Sequence, residues 1–192
     1  MADDINSIHT PAFVVNENVA MRNIARFQAH CDKVGLALRP HIKTHKLIHF
    51  AQAQLAAGAI GITCQKISEA EAMLADGIDD IFITYNILGP AKLVRLRALS
   101  GRLKTLSVVA DNSVVIRGLS QVFDGAQRPP SVLVECDTGA GRCGVQTPEA
   151  AVVLAQEIAN SPGLTFGGLM AYPAVAGAKN TAQFMRETKC LL

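Results

Sequence analysis

Six apolar runs of strand character alternate with helical stretches along the chain, and so regular an alternation leaves few folds open. The runs are Leu36 to Ile42, Ala59 to Gln65, Asp80 to Asn86, Lys104 to Asp111, Ser131 to Asp137 and Leu164 to Tyr172. Helical stretches begin near Leu47, Ser68, Pro90, Ser113 and Pro148, several with a cap-type residue or a first-turn proline, and many end on glycine, as at Gly58, Gly77 and Gly101. A short strand, Ala12 to Asn16, and a helix reaching about Val34 come before them. Strands separated by helices in this way pair in parallel through right-handed crossovers.

Side chains alternate across a strand, so each run has two faces. In Ser131 to Asp137 one face is apolar, with Val132, Val134 and Cys136, while Ser131, Leu133, Glu135 and Asp137 share the other. The same division sets Ile60, Ile62 and Cys64 against Gly61, Thr63 and Gln65, and Ile81, Ile83 and Tyr85 against Phe82, Thr84 and Asn86. The polar members gather at the C-terminal strand ends. An open doubly wound sheet would make both faces of its central strands apolar. A barrel packs its outer face on helices and turns its interior polar toward the C-terminal mouth, where such folds keep their active sites. The expected fold class is therefore α/β, a TIM-type (β/α) barrel. Eight strands typically need about 250 residues, and 192 residues hold about six barrel strands. The barrel is thus expected to be incomplete at the C-terminus, or completed by another chain or further sequence.

With 49% hydrophobic and 18% charged residues, the chain can bury a core and is not of the disordered, collagen-like or coiled-coil kind. A net charge of +2, with no basic run interleaved with aromatics, excludes an electrostatic nucleic-acid binder. No linker or low-complexity tract interrupts the pattern, so 1–192 is expected to be a single domain. Met1 to Thr10 lacks the blocks of a signal peptide and no apolar stretch reaches membrane-spanning length, so no membrane partner and a cytoplasmic location are expected. The five cysteines are odd in number and free of CxxC spacing, which signals neither a disulfide framework nor a zinc ribbon.

Two segments carry the chemistry. The first is Arg39-Pro40-His41-Ile42-Lys43-Thr44-His45-Lys46 at the end of the first barrel-type strand. If extended through His45, it places Arg39, His41, Lys43 and His45 on one face, and leaves Lys46 outside that series, toward solvent. Desolvation and neighbouring positive charge both disfavour an ammonium inside the mouth, which makes a lysine a nucleophilic amine able to form a Schiff base. A solvated basic turn capping the strand accounts for the same residues. The second segment, Glu135 to Val145, contains GxGxxG as Gly139, Gly141 and Gly144. The following helix starts only near Pro148, and the acidic residue of a dinucleotide fold is missing. A glycine-rich loop that lets Arg142 fold back over the mouth, with Asp137 or Glu135 orienting its guanidinium, fits better. Tyr172, on the face shared with Phe166, Gly168 and Met170, is placed to stack on a flat ring, or is a core tyrosine with a satisfied hydroxyl.

These segments resemble a known family. Thr10-Pro11-Ala12-Phe13-Val14-Val15, the Arg39 to Lys46 block, Cys64-Gln65-Lys66-Ile67-Ser68-Glu69-Ala70-Glu71, Asp80-Ile81-Phe82-Ile83-Thr84-Tyr85-Asn86 and the loop Asp137 to Gly144 occur in the order seen in the D-threonine aldolase and D-serine dehydratase family. These are pyridoxal-phosphate enzymes with an alanine-racemase-like barrel. The resemblance implies that Lys43 attaches pyridoxal 5'-phosphate, flanked by His41 and His45 as its candidate catalytic neighbours. It implies that Arg142 approaches the cofactor ring and that Tyr172 contacts it, although Pro173-Ala174 replaces the more usual His or Glu and Gly. The function implied is a lyase of D-3-hydroxy amino acids, splitting Cα–Cβ to glycine and an aldehyde, with a small-molecule substrate. A D-serine dehydratase, in which Lys43 removes the Cα proton, and a 3-hydroxy-D-aspartate aldolase are the alternatives. Outside that class stand a non-catalytic barrel fragment that needs a partner chain and, on GxGxxG alone, a nicotinamide oxidoreductase.

Family members continue into further strands with phosphate-binding loops and a β domain that holds a divalent metal. The 192-residue sequence contains neither, so no metal ligands are assigned in it. The expectation is an N-terminal portion that associates as a homo-oligomer, because exposed parallel edges invite pairing.

Overall fold

The computed structural model describes residues 5–174 and 176–192. Five parallel strands form one sheet: β1 (Ile62–Cys64), β2 (Asp80–Ile83), β3 (Thr105–Ala110), β4 (Ser131–Cys136) and β5 (Thr165–Ala171). Helix α1 (Glu17–Lys33) and α2 (Ile48–Ala56) precede the sheet. Helices α3 (Ile67–Ala75), α4 (Pro90–Ser100), α5 (Ser113–Phe123), α6 (Pro148–Asn160) and α7 (Ala178–Leu191) each follow a strand. Every strand pairs with the next in chain order, β1-β2-β3-β4-β5. That order separates the two expected architectures. A doubly wound sheet reverses at a switch point and puts helices on both faces, whereas crossovers that always advance one way put every helix on the same side. The sheet is an arc of an α/β barrel.

Local sequence sets the helix starts. The Asn16, Asn112 and Thr147 side chains accept the N–H groups of Val19, Val115 and Ala150, capping α1, α5 and α6. Pro90 and Pro148 occupy first-turn positions, where the missing N–H costs nothing. No helix among the described residues is long and apolar enough to cross a membrane.

The outer strand face is the core. Ile62, Ile81, Ile83, Val108, Val132 and Val134 are fully buried. They cluster with Met73, Leu96, Ile116, Leu119 and Ile158 from α3 to α6. Each such side chain contributes about 1.5–3 kcal/mol relative to exposure. On the inner face Phe82, Leu133 and Met170 are half-buried, while Thr63, Val109 and Glu135 are buried. At the N-terminal end of that face Arg39 pairs with Asp80 at 2.6 Å.

Three expectations need correction. Residues 12–16 form no strand: Phe13, Val14 and Val15 are exposed, and Asn16 serves as the α1 cap. Leu36 to Ile42 is only partly strand-like. The Ile60 N–H donates to the Leu38 carbonyl and the Thr63 N–H to the Pro40 carbonyl, and a single bridge joins His41 to Thr63. Pro40 has no N–H to extend a ladder, and the chain then winds into a 3-10 turn, Ile42–Thr44. Last, β5 carries a bulge opposite Val132 and Leu133, with Gly168 at φ +113. One extra residue flips the facing of those before it. Phe166 therefore pairs with Val132 on the core side, while Gly168 and Met170 align with Leu133 and Glu135 on the inner face.

The difference between the faces predicts unequal mutational costs. Ile83→Ala should lower the unfolding free energy by about 2–5 kcal/mol, and Leu133→Ala by about 1 kcal/mol, measured by urea denaturation of the 192-residue chain. Equal losses would contradict the assignment of faces.

Candidate functional site

Lys43 sits in the 3-10 turn and is half-buried, anchored by its neighbour Ile42, which is fully buried among the core side chains. Its Nζ lies 5.2 Å from the centre of the Tyr172 ring, just past the end of β5. The Arg142 guanidinium lies 4.3 Å from the same ring centre. Both fall within cation–π range. The structure thus brings together Lys43, Arg142 and Tyr172, which are widely separated in the chain. Two cations around one half-exposed phenol make a place for a flat, anionic ligand.

The loop after β4 is built to hold Arg142. Asp137 Oδ1 accepts the N–H groups of Gly139, Ala140 and Gly141 at 2.9, 2.9 and 3.1 Å. Those bonds, led by that of Gly139, hold its carboxyl below the usual aspartate range. The chain then returns beside β4, with the Val145 N–H on the Glu135 carbonyl and the Asp137 N–H on the Val145 carbonyl. Gly144 makes that return possible: at φ +108, a Cβ there would lie 2.5 Å from the Asp137 nitrogen. Its N–H donates to Asp111 Oδ2 at 3.1 Å. The N–H groups of Gly139 to Gly141 are consumed by Asp137, so GxGxxG here does not present the free donors of a pyrophosphate cradle.

Of the two carboxylates expected to orient Arg142, the one that does is Glu135. Its side chain is 2% exposed, and Oε1 lies 3.5 Å from Arg142 Nη2. The same oxygen accepts the Cys143 thiol at 2.9 Å. Burial first, and then the hydrogen bond to Glu135, push the Cys143 thiol above its ordinary pKa.

The two histidines beside Lys43 part company. His41 Nδ1 accepts the Lys43 backbone N–H at 3.2 Å, so the ring proton resides on Nε2, which faces Gln65 Oε1 at 3.3 Å and Thr84 Oγ1 at 3.5 Å. Both nitrogens of His41 are engaged. Burial, followed by the Lys43 charge, lowers its pKa below the ordinary histidine value. His45 does not share the face of Lys43, because the 3-10 turn breaks the period of two. Its Nδ1 accepts the Leu47 N–H at 3.1 Å, and its ring meets Phe50 of α2 edge-on at 5.8 Å. Burial lowers its pKa too. Arg39 likewise lies away from the mouth, in its pair with Asp80.

Lys46 does not simply face solvent: it forms an ion pair with the buried Glu69 of α3. Burial raises the Glu69 pKa, yet the Lys46 and Gln65 N–H hydrogen bonds and the lysine charges outweigh it and hold the carboxyl low. Neither Glu69 nor Asp111 stands out in the sequence as a site residue. Glu69 occupies the third helical position of α3, where a carboxylate caps the helix, and that is the signal by which it could be found. Among the described residues no three His, Cys, Asp or Glu side chains gather as a metal-binding group.

Residues 15–191 match the family model described as the alanine racemase N-terminal domain. The chain belongs to this family. It is 42% identical over 170 residues to a D-threonine aldolase of Arthrobacter sp., covering 88% of this chain and 45% of that protein. It is 37% identical over 170 residues to a 3-hydroxy-D-aspartate aldolase of Paracoccus denitrificans, covering 88% of this chain and 44% of that one. Among solved structures, a D-threonine aldolase from Filomicrobium marinum superposes with a TM-score of 0.89 at 32% identity, over 96% of this chain and 53% of that one. This member of the alanine racemase N-terminal family thus spans about half the length of the relatives it matches, and its five-strand arc is the barrel fold that they share.

The neutral state of His41 makes stability pH-dependent. A lowered folded pKa means that the unfolded chain binds more protons, so stability is full above about pH 6.5 and is lost as pH falls through the folded value. The urea midpoint should drop between about pH 7.5 and about pH 5, and His41→Asn, which keeps an acceptor for the Lys43 N–H, should shrink that drop. An unchanged pH profile in the variant would contradict the assignment.

Proposed function

We propose that this chain forms the cofactor-binding barrel of a pyridoxal-phosphate lyase acting on D-3-hydroxy amino acids, cleaving Cα–Cβ to glycine and an aldehyde. The observation that carries the reading is the convergence of Lys43 and Arg142 on the Tyr172 ring, at the C-terminal end of the strands where barrel enzymes work. The residues present suit the group: an amine to attach it, an aromatic face for its ring and a guanidinium for its negative charge. When bound, pyridoxal phosphate supplies an electron sink that eases bond breaking at the amino-acid α-carbon.

The residues of this chain have separable tasks. Lys43 holds the cofactor and gives it up to the substrate amine. Tyr172 supports one ring face and fixes the plane, which decides which α-carbon bond is aligned for cleavage. Arg142, steadied by Glu135, neutralises negative charge beside the ring. His41 keeps the turn in place through the Lys43 N–H. Aldolase is preferred to dehydratase because the relatives named aldolases are 42% and 37% identical, against 32% for a D-threo-3-hydroxyaspartate dehydratase of Delftia sp..

Adding pyridoxal phosphate to the 192-residue chain should produce near-ultraviolet to violet absorbance that borohydride removes. Lys43→Ala should abolish it, and Lys46→Ala should leave any adduct on Lys43. An adduct on Lys46 would reverse the assignment. A chain that contains these residues and cleaves D-threonine should lose about 10³-fold or more of kcat on Lys43→Ala, read as aldehyde formation.

A further inference from the structure

The turn that carries Lys43 is fastened at both ends to the segment that leads from β1 into α3. Downstream, Lys46 adopts φ +54, and its N–H returns to the Ile42 carbonyl at 2.8 Å. This is the left-handed closing position that glycine or asparagine usually fills. A lysine there carries the steric penalty of left-handed backbone, and its side chain ends on Glu69. The other Glu69 oxygen accepts the Gln65 N–H at 2.8 Å. Upstream, the Gln65 side chain faces His41 Nε2, and His41 Nδ1 receives the Lys43 N–H. The contacts close a circuit: Lys46 to Glu69, Glu69 to Gln65, Gln65 to His41, and His41 back to the backbone of Lys43. The carboxylate at its centre is buried, with 6% of its side chain exposed.

We propose that the Lys46–Glu69 pair is a latch that positions Lys43 against Tyr172, with Glu69 and Lys46 as positioning residues rather than catalytic ones. The proposal rests on the reading of Lys43 as the amine that attaches pyridoxal phosphate. It accounts for a lysine at a left-handed position, since a glycine there would close the turn but leave Glu69 buried without its cation. It also assigns different work to two lysines three residues apart: Lys43 has its amine beside the open ring, while Lys46 has its amine occupied by a carboxylate.

The test uses the 192-residue chain and the variants Lys46→Gln, Lys46→Arg and Glu69→Gln. In the first arm pyridoxal phosphate is added, borohydride quenches the reaction at intervals, and the Lys43 peptide is quantified by mass spectrometry. In the second arm the cofactor-free chain is acetylated with acetic anhydride, and Lys43 is compared with the exposed Lys179 of α7. Lys46→Gln should slow trapping at Lys43 about tenfold and raise its acetylation relative to Lys179 about threefold, because a released turn is misplaced for the ring yet more open to solvent. Lys46→Arg, which keeps the charge and the hydrogen bond, should stay within about twofold of the parent in both arms. Glu69→Gln should behave as Lys46→Gln does; if it does not fold, Lys46→Gln decides, since the Lys46 side chain is 54% exposed. Parent-like trapping and acetylation in Lys46→Gln would overturn the latch. Failure of the parent chain to take up pyridoxal phosphate on Lys43 would overturn the functional reading instead, and the acetylation arm would still decide the latch.

Discussion

Burial of one face of every strand against the helices is the constraint on which the rest depends. Ile62, Ile81, Ile83, Val108, Val132 and Val134 are sealed under α3 to α6, and slipping any strand by one residue would exchange that face for Thr63, Phe82 or Glu135. Register is therefore fixed from outside the barrel. The inner face is free to carry polar groups because it is not what holds the sheet together. Glu135 shows the consequence: a carboxylate almost wholly buried on the inner face, tolerated because Cys143 and Arg142 reach it.

A fixed register also aims the strand ends. Lys43 and Tyr172 lie near the C-terminal ends of strands that the core positions, and the loop after β4 brings Arg142 to them. What the loops supply is local fastening. Asp137 gathers three backbone N–H groups to shape the Arg142 loop, and His41 and Lys46 pin the two ends of the Lys43 turn. Asp137 and His41 use side chains to satisfy backbone N–H groups that a strand or helix would otherwise satisfy, while Lys46 acts through an ion pair.

The period of two is legible in the sequence wherever a strand runs straight. The apolar faces of β1, β2 and β4 are the buried faces, and Leu133, Glu135 and Thr63 lie on the inner one. It fails where the backbone leaves regular geometry. An extended chain would set His45 beside Lys43, whereas the 3-10 turn rotates it toward Phe50. Unbroken alternation would set Phe166 with Tyr172, but the bulge at Gly168 returns it to the core side. Ala12 to Asn16 has strand composition but pairs with no described strand, since composition alone cannot supply a partner. Lys43, Arg142 and Tyr172 stand out through strand-end position and resemblance. Glu69 does not, because a helix-capping carboxylate looks the same in sequence whether or not a lysine from another loop reaches it.

The central claim is that the Tyr172 ring, Lys43 and Arg142 together form the seat of pyridoxal phosphate. A crystal structure of a chain containing this sequence, grown with the cofactor, tests it most directly. The account predicts electron density continuous with Lys43 Nζ, a pyridine ring lying against Tyr172, and the Arg142 guanidinium beside it with Glu135 still in contact. Density joined to another lysine, or a ring bound away from Tyr172 with Arg142 turned to solvent, would contradict it.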